Sequence, residues 1–239
     1  MSLIISAGTL GELARPDFCP RCFWIRLKCE KLPFQIAMPG IFSSIDSYVK
    51  KVVHRYYEKE GKLPEWFPYV GEVVKLEKTP SYHQFMITDP QTGVTLRGTP
   101  DDLFQLQDSS YHIVDYKTAR LTTKQDELFP GYEVQLNAYA YIGNRTCFSP
   151  VSALTLVYLD PDTDFNSSPD LLSRSEDQLM LGFTPKTKSV EVKPQSFIEE
   201  LLNRASEINE LEVPPPHISG CEDCQLLENL IRIAPIYRG

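Results

Sequence analysis

The stretch Gly98-Thr99-Pro100-Asp101-Asp102, followed by Ile113-Val114-Asp115-Tyr116-Lys117, decides how this chain of 239 residues folds. It sets one carboxylate at the end of an expected strand, and a second carboxylate and a lysine on the next. Side chains two apart in a strand share a face. Asp115 and Lys117 therefore point one way, while Val114 and Tyr116 enter the opposite layer. Converging carboxylates repel unless a divalent cation lies between them. A lysine beside such an ion can hold a water or a scissile phosphate, which is what phosphodiester hydrolysis requires. The D-x-K triplet alone is common in hairpin turns, so the weight rests on what accompanies it.

Upstream, alternation and β-branched content predict strands near Gly71–Lys78, Tyr82–Asp89 and Val94–Leu106, with a turn over 89–93. Pro100 inside the third implies a bend that re-aims Asp101. Tyr111–Lys117 is the next strand. A polar loop over 118–130 leads to a helix over Tyr132–Ile142, where Gln135 and Tyr139 share a face and Val134, Leu136, Ala138, Ala140 and Tyr141 pack. Val151–Leu159 reads as a buried strand and 160–177 as an exposed loop. Leu179–Thr184 and Ser189–Val192 suggest a hairpin. Phe197–Leu211 is an amphipathic helix stopped by Pro214-Pro215-Pro216, and Leu226–Ile236 is a final apolar segment.

Towards the N-terminus, Thr9-Leu10-Gly11-Glu12 reads as a capping box that buries Leu10 and Leu13. Cys19-x-x-Cys22 runs into an apolar helix, and Pro33 and Pro39 break the chain into a loop. A longer helix over Ser43–Glu60 carries an apolar stripe of Ile45, Val49, Val52, Val53 and Tyr56. His54 lies off the centre of that stripe, so a groove-edge histidine and a metal ligand both remain open. Helix, three strands, a fourth strand with D-x-K, a helix and a strand make an α/β sandwich around a mixed sheet.

The length allows one sizeable core, and no apolar run approaches the roughly 18 residues of a membrane span. The first residues lack a basic stretch followed by a continuous apolar one, so no signal peptide is expected and the cytoplasm is the expected location. The net charge of −8 argues against a general nucleic-acid coat but leaves room for a local basic groove. Arg97, Lys117, Arg120, Lys124, Lys186 and Lys188 are its candidates.

The order helix, Gly98-x-x-Asp101, Asp115-x-Lys117, Gln135-Leu136-x-x-Tyr139 resembles the PD-(D/E)xK nuclease superfamily. More narrowly it resembles the RecB-like branch, which includes CRISPR-associated exonucleases and nuclease modules of bacterial recombination enzymes. The likeness runs from about Leu10 to Cys224. It implies a restriction-endonuclease-like core, with a central mixed β-sheet flanked by helices, in a single nuclease domain over 1–239. It implies that Asp101 and Asp115 bind Mg²⁺ or Mn²⁺, with His54 as a further ligand from the first long helix. Lys117 would orient or activate the attacking water, and Gln135 and Tyr139 would lie near the substrate backbone. Asp102 would replace Asp101 if the register slipped.

Cys19 and Cys22 pair in spacing with Cys221 and Cys224, whereas Cys29 and Cys147 have no such partner. In a reducing compartment two C-x-x-C pairs indicate a four-thiolate metal site. Zinc and an iron–sulfur cluster both suit four thiolates. The branch resembled here often carries a [4Fe-4S] cluster on one N-terminal and three C-terminal cysteines; this chain has two and two. The site would staple residues 9–30 to residues 214–236 across the core.

The resemblance implies a metal-dependent deoxyribonuclease, an exonuclease or an enzyme processing single strands or duplex ends, in repair, recombination or CRISPR adaptation. The acidic charge favours a protein partner that delivers DNA. The contrasting expectation is a nuclease-fold protein that binds or scaffolds without cleaving.

Overall fold

The computed structural model describes residues 3–29, 39–120, 122–164 and 181–233. The expected break at Pro33, the loop beyond 164, the opening of the hairpin at 179–180, residues 234–236 and the Lys124 side chain lie outside what is described.

The chain runs β1 (Ile4–Ser6), α1 (Ala7–Gly11), a 3-10 turn (Glu12–Ala14), α2 (Pro20–Lys28), α3 (Gly40–Glu60), β2 (Val73–Glu77), β3 (Met86–Thr88), β4 (Thr95–Arg97), β5 (Asp102–Leu106) and β6 (Tyr111–Lys117). It continues through α4 (Thr123–Arg145), β7 (Val151–Asp162), β8 (Gly182–Val190), α5 (Gln195–Glu210) and α6 (Glu222–Ile233). The main sheet has the order β2-β5-β6-β7-β8. Its β6–β7 pair is parallel and the other pairs are antiparallel, so the sheet is mixed as expected. α4 supplies the crossover between the parallel strands.

The sheet is buried on both faces. On one, Leu103, Ile113, Leu154, Leu156 and Tyr158 pack with Val134, Leu136, Ala138 and Ile142 of α4 and with Ile198 and Leu202 of α5. On the other, Phe104, Val114, Tyr116, Val157 and Leu159 pack with Val49 and Val53 of α3 and with Phe67. The alternation of Ile113 and Val114 between the two clusters is the period-2 geometry of β6 at work. A second, three-stranded sheet of order β1-β4-β3 lies beyond the first.

Several local expectations are corrected. The strand expected over Val94–Leu106 is two strands in two sheets, β4 and β5, divided at Gly98–Asp101. Pro100 there lacks the N–H that a continuous ladder would use. From Thr123 on, the polar loop expected over 118–130 is instead the first part of α4, which contains Pro130. β7 runs on to Asp162 and pairs with a single long β8, replacing the short hairpin expected after 179. Helix α1 begins earlier than the capping box implied: Ser6 is its N-cap, and its side chain accepts from the Thr9 backbone N–H. Of the α3 stripe, Val49 and Val53 are buried but Val52 is exposed, so the buried strip is narrower than expected.

Candidate active site and four-cysteine centre

The break between β4 and β5 delivers two adjacent carboxylates to opposite jobs. Asp101 Oδ2 accepts the backbone N–H of Tyr116 at 2.8 Å, which ties it to the strand that carries Asp115. Asp101 Oδ1 takes the Lys50 ammonium of α3 at 2.7 Å, and Lys50 also donates to Asp46 at 2.9 Å. Burial pulls the Lys50 pKa down, but Asp101 and Asp46 outweigh it and hold the group charged. Asp102 turns to the α3 face instead. Its Oδ1 meets His54 Nε2 at 2.6 Å and its Oδ2 accepts the Tyr116 hydroxyl at 2.7 Å. The Asp102 hydrogen bond raises the His54 pKa, against burial.

On the α4 face Asp115 and Lys117 stand together as the strand period requires, Oδ2 to Nζ at 2.6 Å. Gln135 Oε1 accepts from Lys117 at 3.2 Å, and its Nε2 donates to Asp115 Oδ1 at 3.3 Å and to the Tyr139 hydroxyl at 2.7 Å. The Lys117 ammonium also lies 4.6 Å from the centre of the Tyr132 ring. A Cβ on Gly98 would come within 2.4 Å of Tyr139 Cε1, so only glycine lets the β4–β5 turn close against this network.

The electrostatics of the two acidic groups are linked. Burial raises the Asp115 pKa to about 6; Lys117 opposes that rise and nearby Asp101 adds to it. Burial lowers and Asp115 raises the Lys117 pKa, with a net rise. Asp115 Oδ2, though close to Lys117, has no hydrogen-bond partner of normal geometry and is fully buried. Carboxylate oxygens such as those of Asp115 and Asp101 are the donors a hard divalent cation binds.

The structure therefore brings Asp101, Asp115, Lys117, Gln135 and Tyr139 together. It sets His54 on Asp102, across the strand from Asp115. Among the described residues the side chains with metal-ligand atoms clustered in a group of three or more are the four cysteines, not this carboxylate set. Sequence reading did not single out Lys50, Asp46 or Tyr132. Lys50 is one turn from His54 on the same helix face, a spacing that could have flagged it. Of the expected groove cations, Arg120 and Lys186 both approach Asp160, at 3.6 and 2.7 Å, and Lys188 approaches Asp126 at 3.4 Å while standing over the Phe129 ring. Much of that positive charge is offset locally.

Cys19, Cys22, Cys221 and Cys224 converge, each sulfur within 4.8 Å of the others. Cys19 is the N-cap of α2 and Cys221 directly precedes α6, so each pair straddles a helix start. Cys19 and Cys224 are buried, while Cys29 and Cys147 are exposed. Burial raises the Cys19 pKa, but the Cys22 and Ile218 amides and the neighbouring thiols bring it down to about 6; burial pushes Cys224 up to about 11. Beyond the sulfurs, Arg21 joins Glu228 at 2.8 Å and Pro215 O at 3.2 Å, and Trp24 Nε1 donates to Leu211 O. The α2 helix is thus knitted to the C-terminal segment, the staple expected from the cysteine spacing.

A mixed α/β sheet with an Asp-x-Lys strand, a preceding acidic turn and a Gln/Tyr helix defines a nuclease-type active-site fold. The chain belongs to the PD-(D/E)XK nuclease superfamily, whose family model matches residues 25–228. Membership implies a hydrolase of phosphodiester bonds and a nucleic-acid substrate. No curated protein matches the chain. A solved structure titled "Crystal structure of SSO0001" is similar over 90% of this chain and 79% of that one, at 12% identity and a TM-score of 0.41. No helix among the described residues is long and apolar enough to cross a membrane.

Proposed function

We propose that this protein is a metal-dependent nuclease cleaving DNA, on single strands or at duplex ends, as a single domain in which the cysteine centre is structural. The observation that carries the reading is the buried Asp115 carboxylate, paired with Lys117 at 2.6 Å and close enough to Asp101 for that charge to raise its pKa. Asp101 and Asp115 would hold a Mg²⁺ or Mn²⁺ ion, while His54, which the family resemblance offered as a further ligand, is engaged by Asp102 instead; the ion would lower the pKa of a bound water and offset charge on the phosphate.

The chain's own groups then have defined parts. Asp115 keeps Lys117 protonated, so Lys117 donates to a phosphoryl oxygen or holds the attacking water. Gln135 fixes both at once, one end of its amide on each. Tyr139 orients Gln135 in turn. The rings of Tyr132 and Phe129, next to Lys117 and Lys188, support a path for unpaired bases, because stacking on an aromatic face is tolerant of sequence. The roles in repair, recombination or CRISPR adaptation, and a partner that delivers DNA, rest on the family resemblance and the acidic charge.

Cleavage of single-stranded, blunt and plasmid DNA, and of RNA, with Mn²⁺, Mg²⁺ or EDTA tests this, comparing the wild type with Lys117→Ala. Metal-dependent DNA cleavage lost in the variant supports it. Equal inactivity of both proteins on every substrate removes the enzyme reading. It would leave a scaffold that keeps the fold without cleavage, an alternative favoured by the Lys50 ammonium already seated on Asp101.

A further inference from the structure

The family resemblance pointed to a [4Fe-4S] cluster; the sulfur geometry points elsewhere. Cys22 Sγ lies 3.4 Å from Cys224 Sγ and 3.5 Å from Cys221 Sγ, and Cys19 Sγ lies 3.7 Å from Cys224 Sγ. One tetrahedral zinc with bonds of about 2.3 Å sets its thiolates about 3.8 Å apart. A four-iron cubane binds each thiolate through a different iron, and so holds the sulfurs roughly 6 Å apart. The observed set, all within 4.8 Å, is a ring of the first size.

We propose that Cys19, Cys22, Cys221 and Cys224 hold a single zinc ion as a closed tetrathiolate site that clamps α2 to the start of α6. The arrangement of the two halves agrees. Each C-x-x-C lies at a helix start, Cys19 and Cys221 just ahead of the helix and Cys22 and Cys224 within its first turn. Each half thus presents two sulfurs at one helix end, and the two ends meet. Four thiolates leave no open position, so the ion holds structure and takes no part in hydrolysis. The inference does not depend on the nuclease reading, since a catalytically dead protein would load the same ion.

The test is metal and sulfide analysis of the full chain, purified anaerobically from cells supplied with both iron and zinc. One zinc per chain, no acid-labile sulfide and a colourless protein is the expected result. Cobalt supplied in place of zinc should give the intense visible bands of a tetrahedral cobalt–thiolate site. Cys22→Ser and Cys221→Ser should bring the zinc content from one to none, while Cys147→Ser keeps it. A cleft of about 380 Å³ lined by Cys19, Cys22 and Cys221 gives a chelator access, so zinc should also be removable from the folded wild type. Iron with matching acid-labile sulfide, or one iron per chain without sulfide, overturns the proposal. A wild type free of any metal overturns it equally.

Discussion

Lys50 Nζ stands 2.7 Å from Asp101 Oδ1, an ammonium on one of the two carboxylates proposed to hold the catalytic ion. The other Asp101 oxygen is engaged by the Tyr116 amide. A divalent cation must therefore compete with Lys50 for Asp101. Lys50→Met removes that competitor. Because partly exposed ion pairs contribute at most about 1 kcal/mol, Mn²⁺ affinity measured by calorimetry should rise by roughly threefold to fivefold. Unchanged or weaker Mn²⁺ binding would show that Lys50 does not compete.

Gln135 touches Lys117, Asp115 and Tyr139 at once, yet lies outside the apolar core. Gln135→Ala should lower the cleavage rate by about tenfold or more, in the range of a lost positioning group, with little change in melting temperature. Tyr139→Phe keeps the ring against Gly98 and removes only the hydroxyl, so its rate loss should be smaller. A Gln135→Ala enzyme with unaltered rate would remove the residue from the site.

Gly98 has no room for a methyl group, since its Cβ would meet Tyr139 Cε1 at 2.4 Å. Gly98→Ala should destabilise the fold by about 1–3 kcal/mol and depress cleavage together with it. Gly8→Ala, where nothing lies within 4 Å, is the control and should do neither. Thermal melts of the two variants separate the outcomes.

His112 is fully buried; its Nε2 meets Thr155 Oγ1 at 2.8 Å and its Nδ1 has no partner. Burial draws its pKa from 6.5 to about 4, so the folded protein keeps it neutral. The unfolded chain takes up a proton near pH 6.5, and between there and pH 4 it binds more protons than the native state. Stability is therefore lost as pH falls through this window, by up to about 3 kcal/mol from this residue. Asp115, raised to about 6 by burial, acts in the opposite sense, becoming less favourable as pH rises through 4 to 6. The difference between wild type and His112→Gln isolates the histidine: denaturant melts should show the wild type losing more stability than the variant on going from pH 7 to pH 4.5. Equal losses would place the proton elsewhere.

The parts of the fold that short-range physics controls could be read directly. Asp115 and Lys117 share a face because a strand has period 2, and Gln135 and Tyr139 because a helix nearly repeats every four residues. The bend at Pro100 followed from its missing N–H. What escaped reading depends on distant partners. β1 exists because Ile4–Ser6 pairs in parallel with Thr95–Arg97, far along the chain. The helix reaches back through Pro130 because Gly131 packs against Gly11 of α1, with a Cβ on Gly11 only 2.3 Å from the Gly131 carbonyl oxygen. His54 was placed by resemblance near a metal; the structure gives it Asp102, and only the folded register of β5 against α3 decides that. Lys50 meets Asp101 across 51 positions, a contact that no local pattern encodes.

The central claim is that Asp101 and Asp115 grip one divalent cation. Calorimetric titration of Mn²⁺ into the zinc-loaded chain, wild type against Asp115→Asn, addresses it without any substrate. The variant should stay folded, since an amide is easier to bury than a carboxylate. The account predicts saturable Mn²⁺ binding to the wild type and its loss in Asp115→Asn. Equal binding by both proteins, or none by the wild type, would contradict it.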